Sequence, residues 1–242
     1  MPRIRLDQLV TELGLAPSRE RARALVLAGQ VLVDGHAVTK AGAQTPADAT
    51  VTLVTPDHPY VGRGGIKLAH ALETFQIPVQ DRQGLDIGAS TGGFTDVMLQ
   101  RGARHVVALD VGHGQFDWRL RNDARVTVIE GFNARVLTLA DLPGPVDLVT
   151  IDVSFISLRH ILQVLPPLLT PAADIVALVK PQFEAGRGEV RKGIIRDEAV
   201  HARVVEEVTA AGAAIGLTRI ASTPSPITGA RGNREFFLHF RH

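Results

Sequence analysis

Cysteine is absent from the 242-residue sequence. This absence excludes disulfide bonds, zinc sites built on thiolates and a thiol nucleophile. The sequence also contains no apolar run long enough to span a bilayer, and its first residues, MPRIRLDQLVTELG, do not follow the pattern of a signal peptide. We therefore expect a cytoplasmic protein with a hydrophobic core and no membrane partner.

Lysine and net charge are also scarce. Only four of the 26 basic side chains are lysine, namely Lys40, Lys67, Lys180 and Lys192, and the formal net charge is +1. A nearly neutral chain binds a polyanion through a local basic patch rather than through its overall charge. The nine histidines show no H-E-x-x-H or similar spacing, so no metal site is expected.

Residues 1–60 are predicted to form a small separate α+β domain. The string RLDQLVTELGL places Leu6, Leu9, Val10 and Leu13 on one face of a helix, and Ser18 is suited to cap a second helix over SRERARALVLAG. A hairpin with a D-G turn follows in VLVDGHAV, and TVTLV is predicted to be the last strand. Such a thin core indicates a module that serves to bind something.

Basic side chains gather in this domain. By themselves they are compatible with an ordinary charged helix face. The string SRERARALVLAGQVLVDGHAVTKAG, however, resembles the small RNA-binding domain named after ribosomal protein S-four, which also occurs in pseudouridine synthases and tyrosyl-tRNA synthetases. Arginine contacts to phosphates give position rather than sequence specificity. The RNA-binding residues that the resemblance implies here are Arg3, Arg5, Arg19, Arg21, Arg23 and Lys40.

The remainder of the chain, residues 61–242, is predicted to be a second domain. The string DHPYVGRGGIKL is glycine-rich and is predicted to be a linker. Strands are then predicted at 84–90, 105–111, 126–130, 146–153, 173–180, 218–223 and 234–241, with later helices near 156–169 and 197–213. This alternation predicts an α/β domain with a parallel, doubly wound sheet.

The string LDIGASTGGFTDVML, residues 85–99, changes from a strand to a glycine turn and then to a helix. A dinucleotide fingerprint would need glycine at Ser90, and no G-x-x-x-x-G-K-[ST] loop occurs in the chain. Gly88 and Gly92 are also compatible with simple tight packing. An acid before the turn and another, Asp110, at the end of the next strand is the arrangement that S-adenosylmethionine enzymes use. The predicted cofactor-binding residues are Asp86, Gly88, Ala89, Ser90, Thr91, Gly92, Gly93, Phe94, Asp110, Asn133 and Asp152.

Four charged residues adjoin apolar segments. Asp152 and Lys180 follow predicted strands, Lys67 lies in RGGIKLAHAL, and Glu235 opens the last strand. Charges in such places cost desolvation energy unless they are paired. Because Asp152 and Lys180 fall at the carboxyl ends of strands, where α/β sheets bind ligands, we expect them in one site.

These residues carry a second resemblance. From Lys67 onward the chain resembles the FtsJ-like ribose methyltransferases, whose active site is a Lys–Asp–Lys–Glu tetrad, and Lys67, Asp152, Lys180 and Glu235 occupy its places in order. With the first domain in front, the chain resembles the TlyA family of ribosomal RNA 2′-O-methyltransferases, also known as haemolysins. The matching strings are RGGIKL, LDIGASTGGFTD, LDVGHGQ, IDVSFISL, LVKPQFEAGR and GNREFFLHF.

The resemblance implies a Rossmann-like class I methyltransferase sheet, S-adenosylmethionine as cofactor, and ribosomal RNA or ribosomal subunits as partner, with cytidine as the nucleotide. It also implies that Lys180 accepts the proton of a ribose hydroxyl, that Lys67 stabilises the alkoxide, and that the two acids orient the lysines. Phe155 is predicted to stack on a nucleobase, although the sequence is also compatible with a place in the core, and Arg63 and Arg135 join the predicted RNA-binding set.

Three alternatives were weighed. A base N-methyltransferase would carry [DN]-P-P-[YF] where this chain has DVSF, without either proline, and needs no lysine pair. Membrane lysis would need a spanning segment or a long basic amphipathic helix, and the sequence has neither. A catalytically silent RNA-binding scaffold would have no use for the intact tetrad. No DNA partner is expected, and a monomer is the default.

Overall fold

The computed structural model describes residues 3–54, 58–186, 188–190 and 192–242. The chain divides into two compact units, Met1–Pro59 and Tyr60–His242, here called the first and the second unit. Each unit has its own hydrophobic core. Within the described ranges, no helix has the length and apolar character needed to cross a membrane.

The first unit combines two helices with short strands. Its elements are β1 (Arg3–Arg5), α1 (Leu6–Glu12), α2 (Arg19–Leu27), β2 (Val31–Val33), β3 (His36–Ala37), β4 (Gln44–Pro46) and β5 (Val51–Leu53). The strands form an antiparallel sheet in the order β3-β2-β5 and a separate antiparallel pair, β1-β4. The pairing of β1 with β4 was not predicted, because each strand is only three residues long and shows no periodicity.

The local predictions for this unit hold with one exception. The Ser18 side chain accepts a hydrogen bond from the backbone N–H of Arg21 at 3.2 Å, as expected for a helix cap. Asp34 and Gly35 have φ values of 49° and 81°, which suit the predicted hairpin turn. Leu13 was expected to face the core but is 50% exposed, because α1 ends at Glu12 and the chain turns away.

The second unit is built around one large sheet. Its elements are α3 (Gly64–Thr74), β6 (Gln83–Ile87), α4 (Gly93–Gln100), β7 (His105–Asp110), α5 (Trp118–Arg121), β8 (Val126–Glu130), β9 (Val146–Ile151), α6 (Leu158–Leu162), β10 (Leu169–Val179), α7 (Pro181–Glu184), α8 (Glu198–Ala213), β11 (Thr218–Pro224) and β12 (Phe236–Arg241). The strand order is β11-β12-β10-β9-β6-β7-β8. Strands β6 to β10 are parallel, whereas β12 is antiparallel to both of its neighbours.

Alternate residues of the strands belong to two different cores. Val107 packs in one cluster and Ala108 in the other, so both faces of the sheet are covered. The sheet is therefore doubly wound, as predicted, but it is mixed rather than wholly parallel, because β12 runs antiparallel to β10 and β11. The strand order reverses at β6, which pairs with β7 on one side and β9 on the other, and this is where such sheets open a crevice at their carboxyl ends.

Two local predictions for this unit were wrong. Gly64 and Gly65 start α3 instead of forming a linker, and a Cβ atom on Gly65 would lie 2.3 Å from the Tyr60 ring. These glycines therefore allow close packing. The helix predicted near 156–169 is reduced to α6 and a short turn, because Pro166 and Pro167 cannot continue it.

Candidate active site

A cavity of about 560 Å³ opens at the carboxyl ends of β6, β7 and β9. This is the crevice that the reversal of strand order predicts. Five of the predicted cofactor-binding residues line it, namely Gly88, Ser90, Asp110, Asn133 and Asp152. Arg135 and Phe155, which were predicted to bind RNA, line it as well.

The glycine turn is fixed by its neighbours. Gly88 has a φ of 86°, and a Cβ atom there would lie 2.4 Å from the carbonyl oxygen of Asp152, so no larger residue fits. The Asp110 carboxylate accepts a hydrogen bond from the Ser90 N–H and another from the Gly112 N–H, each at 2.7 Å and on a different oxygen. Since each carboxylate oxygen has two lone pairs, Asp110 retains acceptor capacity for two hydroxyl groups.

The cavity walls are largely apolar. They are formed by residues that the sequence had not singled out, among them Leu109, Val111, Phe132 and Ile156. Gln115 adds a polar group and was also missed, although it lies within the string LDVGHGQ that carried part of the resemblance. An apolar slot with few polar groups suits a flat heteroaromatic ring such as adenine.

The other predicted cofactor residues do not line the cavity. Ala89 and Phe94 are buried in the core, and Thr91, Gly92 and Gly93 form the turn that leads into α4. Asp86 is fully buried, and its carboxyl group accepts hydrogen bonds from Thr95 at 2.7 Å and Thr150 at 3.0 Å. Burial raises the pKa of Asp86 to about 7 even though both hydroxyl groups oppose that shift. These six residues lie outside the cavity lining, and their part in cofactor binding stays a prediction.

The predicted tetrad forms two lysine–carboxylate pairs, one of which adjoins the cavity through Asp152. Lys180 Nζ is 2.5 Å from Asp152 Oδ1, and Lys67 Nζ is 2.6 Å from Glu235 Oε2. The two lysine side chains are only 11% and 12% exposed. Charges so shielded from water interact strongly, and each has the partner that its burial requires.

Sheet register brings the two pairs to one edge of the sheet. Val179 of β10 is opposite Phe236 of β12, so Lys180 and Glu235 both lie just beyond the same end of these antiparallel strands. Asp152 follows β9, the parallel neighbour of β10 on its other side. Lys67 reaches the edge from α3 through its contact with Glu235. The four residues of the tetrad are therefore brought together, and we call this the active edge.

The loops after β9 and β10 contact each other at several points. Lys180 Nζ donates a hydrogen bond to Ser154 Oγ at 2.9 Å, and buried Glu184 accepts hydrogen bonds of 2.6 Å from the Ser157 hydroxyl and the Leu158 N–H. The rings of Phe155 and Phe183 are 5.0 Å apart. Ser154 and Glu184 were missed at the sequence level, although both lie in the matching strings.

Phe155 has an unusual conformation. It has a positive φ of 64°, which is costly for a residue with a bulky side chain, and it is 90% exposed. A strained, exposed aromatic residue on the rim of a cavity is a candidate for ligand contact.

The predicted RNA-binding residues of the first unit differ in how they are held. Arg5 donates two hydrogen bonds to the buried carboxylate of Asp7, at 3.0 and 2.7 Å, and Arg19 Nε is 3.5 Å from the same carboxylate. Hydrogen bonds from Arg5 hold the pKa of Asp7 below its ordinary value in spite of burial. The remaining basic residues of the set are at least partly exposed, namely Arg3, Arg21, Arg23, Lys40 and, in the second unit, Arg63.

No group of three or more His, Asp or Glu side chains in the part of the chain that the structure describes is arranged to hold a metal ion.

Known proteins resemble both units. The model of the FtsJ-like methyltransferase family matches residues 60–242, and that of the S4 domain matches residues 4–45. The 16S/23S rRNA (cytidine-2′-O)-methyltransferase TlyA of Mycobacterium tuberculosis is 46% identical over 99% of this chain and 90% of its own length. Hemolysin A of Brachyspira hyodysenteriae is 42% identical over 98% of this chain and 99% of its own length.

A solved structure from Streptococcus thermophilus extends this likeness to three dimensions. It has a TM-score of 0.79 and 44% identity, covering 100% of this chain and 89% of that one. The chain therefore belongs to the TlyA family of FtsJ-like, S-adenosylmethionine-dependent methyltransferases with an N-terminal S4 domain.

Proposed function

We propose that this protein transfers a methyl group to the 2′-hydroxyl of a cytidine in ribosomal RNA. The observation that carries the proposal is the pair formed by Lys180 and Asp152, 2.5 Å apart, on the rim of the cavity. The name of the Mycobacterium tuberculosis relative, an rRNA (cytidine-2′-O)-methyltransferase, supports the same substrate. RNA binding is assigned to the first unit and methyl transfer to the second, in a cytoplasmic monomer that acts on RNA or ribosomal subunits rather than on DNA or a membrane.

The cavity fits S-adenosylmethionine. Its volume lies in the range of small-molecule sites, and Asp110 is positioned to accept both ribose hydroxyls while the apolar walls hold the adenine. Gly88 and Ser90 would present backbone to the methionine part, and Asn133, which also lines the cavity, would contribute a polar side chain to the site. When bound, the cofactor supplies a methyl group that is already activated on a sulfonium sulfur.

The residues of this chain supply what the activated methyl group lacks. A ribose 2′-hydroxyl is a very weak acid and must lose its proton as its oxygen attacks. Lys180 accepts that proton on Nζ after it has released its own proton, and Lys67 stabilises the negative charge that develops on the oxygen. Asp152 and Glu235 hold the two lysines in place and balance their charge. The remaining acceleration comes from holding the hydroxyl in line with the methyl group.

Exposed residues on both units would hold the RNA. Arginines of the first unit bind phosphates, and Arg63 and Arg135 extend this set to the second unit. Phe155 is available to stack on the base of the target nucleotide, since its exposed ring stands on the cavity rim.

The test is to incubate the protein with unmodified ribosomal subunits and methyl-labelled S-adenosylmethionine, and then to digest the RNA and identify the labelled nucleoside. We expect 2′-O-methylcytidine at a defined site, and no label when the Lys180→Ala variant is used. Label on a base nitrogen or carbon would overturn the proposal, as would no label on any ribosomal RNA.

A further inference from the structure

Lys180 has two partners on the same loop. Its Nζ lies 2.5 Å from Asp152 Oδ1 and donates a hydrogen bond to Ser154 Oγ at 2.9 Å. Both partners follow β9, and both line the cavity. Asp152 provides a negative charge that neutralises Lys180. Ser154 is uncharged and provides only a hydrogen-bond acceptor that orients Nζ. Neutralisation of the lysine charge therefore does not explain why Lys180 also contacts the Ser154 hydroxyl.

The geometry of a neutral amine supplies that reason. A charged lysine has three N–H donors, and after losing one proton it has two N–H bonds and one lone pair. Ser154 accepts a hydrogen bond from one N–H of Nζ, and the Asp152 carboxylate, in ionic contact with Nζ at 2.5 Å, attracts the other N–H of the neutral amine. The lone pair is then confined to the remaining tetrahedral direction. With Asp152 alone, Nζ would rotate among the three staggered positions about its bond to Cε.

We propose that Ser154 is a positioning residue that aims the lone pair of neutral Lys180 at the substrate 2′-hydroxyl. The inference rests on the proposed function and specifies how its base is oriented. The O–H bond of the hydroxyl breaks and its proton forms a third N–H bond on Nζ, using the lone pair. The hydroxyl oxygen keeps its electron pair and bonds to the methyl carbon, while the carbon–sulfur pair remains on sulfur as a thioether.

Ser154→Val and Ser154→Thr form a matched pair, because their side chains have nearly the same shape and only threonine keeps the hydroxyl. The rate of a single turnover on ribosomal RNA would be measured for both, along with the affinities for S-adenosylmethionine and for RNA. We expect Ser154→Val to be slower than wild type by roughly 10- to 100-fold, as for other small misplacements of catalytic groups. Ser154→Thr should recover to within a few-fold, and the two affinities should not change.

A second readout separates orientation from titration. If the variant only misorients the lone pair of Lys180, the rate falls by the same factor at every pH. The pH–rate curves of Ser154→Val and Ser154→Thr should therefore be parallel on a logarithmic scale. Ser154→Ala repeats the comparison with a side chain smaller than serine in case valine does not fold. Equal rates for the valine and threonine variants, or a defect confined to substrate affinity, would overturn the inference.

The two proposals fail in different ways. If the wild-type protein does not methylate ribose, the proposed function is wrong. If the wild type is active, Lys180→Ala is inactive and Ser154→Val is as fast as Ser154→Thr, only the role of Ser154 is wrong.

Discussion

Both units hold cations on shielded carboxylates, but they use different cations. In the first unit Asp7 holds Arg5 and Arg19, whose side chains are 45% and 58% exposed. At the active edge of the second unit the cations are lysines, and Lys67 and Lys180 are only 12% and 11% exposed. The arginines around Asp7 are therefore exposed to water, whereas the lysines of the active edge are largely buried.

This difference divides binding from chemistry. Arginine stays charged at any workable pH, so an exposed arginine anchored at one end can only attract anions. Lysine can give up a proton when it is shielded from water, which makes it suitable as a base. Two buried aspartates repeat the contrast. Arginine neighbours lower the pKa of Asp7. Burial raises the pKa of Asp86 to about 7, although the hydrogen bonds from two hydroxyl groups oppose this shift.

The largest loss of activity is expected when a lysine of the active edge is replaced by arginine, the cation of the first unit. Lys180→Arg keeps the charge and much of the length, but arginine cannot serve as a base. We expect it to be as inactive as Lys180→Ala, with a loss on the order of 10²- to 10⁴-fold in single-turnover rate and unchanged cofactor affinity. Recovery of a substantial part of the rate in the arginine variant would show that Lys180 acts through its charge alone.

The next effect is a pH dependence of stability that arises from Asp86, whose described hydrogen-bond partners are hydroxyl groups rather than arginines. Its folded-state pKa is raised, so the folded protein keeps the proton that the unfolded chain loses, and stability falls as the pH rises from about 4 to 7. Asp86→Asn has no such proton. Relative to that variant, wild type should lose up to roughly 4 kcal/mol of unfolding free energy across this range.

Denaturant titrations at several pH values provide the measurement, and Asp7→Asn is the matched comparison. The pKa of Asp7 is lowered in the folded protein, so its contribution is present above the ordinary pKa of an aspartate and is lost as the pH falls through the folded-state value. The two differences should therefore change in different pH ranges and with opposite slopes. Parallel curves for wild type and Asp86→Asn would contradict the assigned pKa.

A smaller effect is expected at the cofactor cavity. Asp110→Ala removes the acceptor for the ribose hydroxyls and should weaken S-adenosylmethionine binding by about 1–3 kcal/mol in calorimetry. Asp123→Ala is the control, because Asp123 lies before β8 at the other end of the sheet and pairs with Arg125. Equal affinity for both variants would remove Asp110 from the site.

The smallest effect is expected in the first unit. Arg5→Ala should weaken RNA binding a few-fold and reduce the salt dependence of the affinity by about one unit of slope, since one phosphate contact is lost. Arg104→Ala, an exposed arginine just before β7, is the control for a general change in charge. A slope that stays the same in Arg5→Ala would show that Arg5 serves Asp7 and not the RNA.

The sequence predicted which charged residues lie together better than it predicted which residues line the cavity. Lys180 and Asp152 each end an apolar strand, and a charge at that position is visible in the pattern and must be paired. Asp86 is also next to a glycine turn, but it lies one residue before the end of β6, where the side chain points into the protein. Periodicity does not reveal which of two interior faces a carboxylate meets, so only the structure places it between Thr95 and Thr150.

The remaining errors have similar causes. A glycine-rich string looks the same for a linker and for a helix start packed closely against an aromatic ring, and at Gly65 the structure shows the second case. Ser154 was missed because a serine beside an acid is common, and its role depends on a lysine that reaches it from another strand. The sequence pattern does not reveal contacts between residues that are far apart along the chain.

The place of β12 in the sheet has a consequence for how the molecule folds. This strand follows β11 in sequence but inserts between β10 and β11, so β10 has a bare edge until it arrives. Pairings between distant segments form slowly, because a long loop must close before any contact is gained. Glu235 arrives with this strand. A chain in which β12 had not yet paired would expose the edge of β10, which favours aggregation, and would lack the Lys67–Glu235 pair. The pairing of β12 therefore completes both the sheet and the active edge.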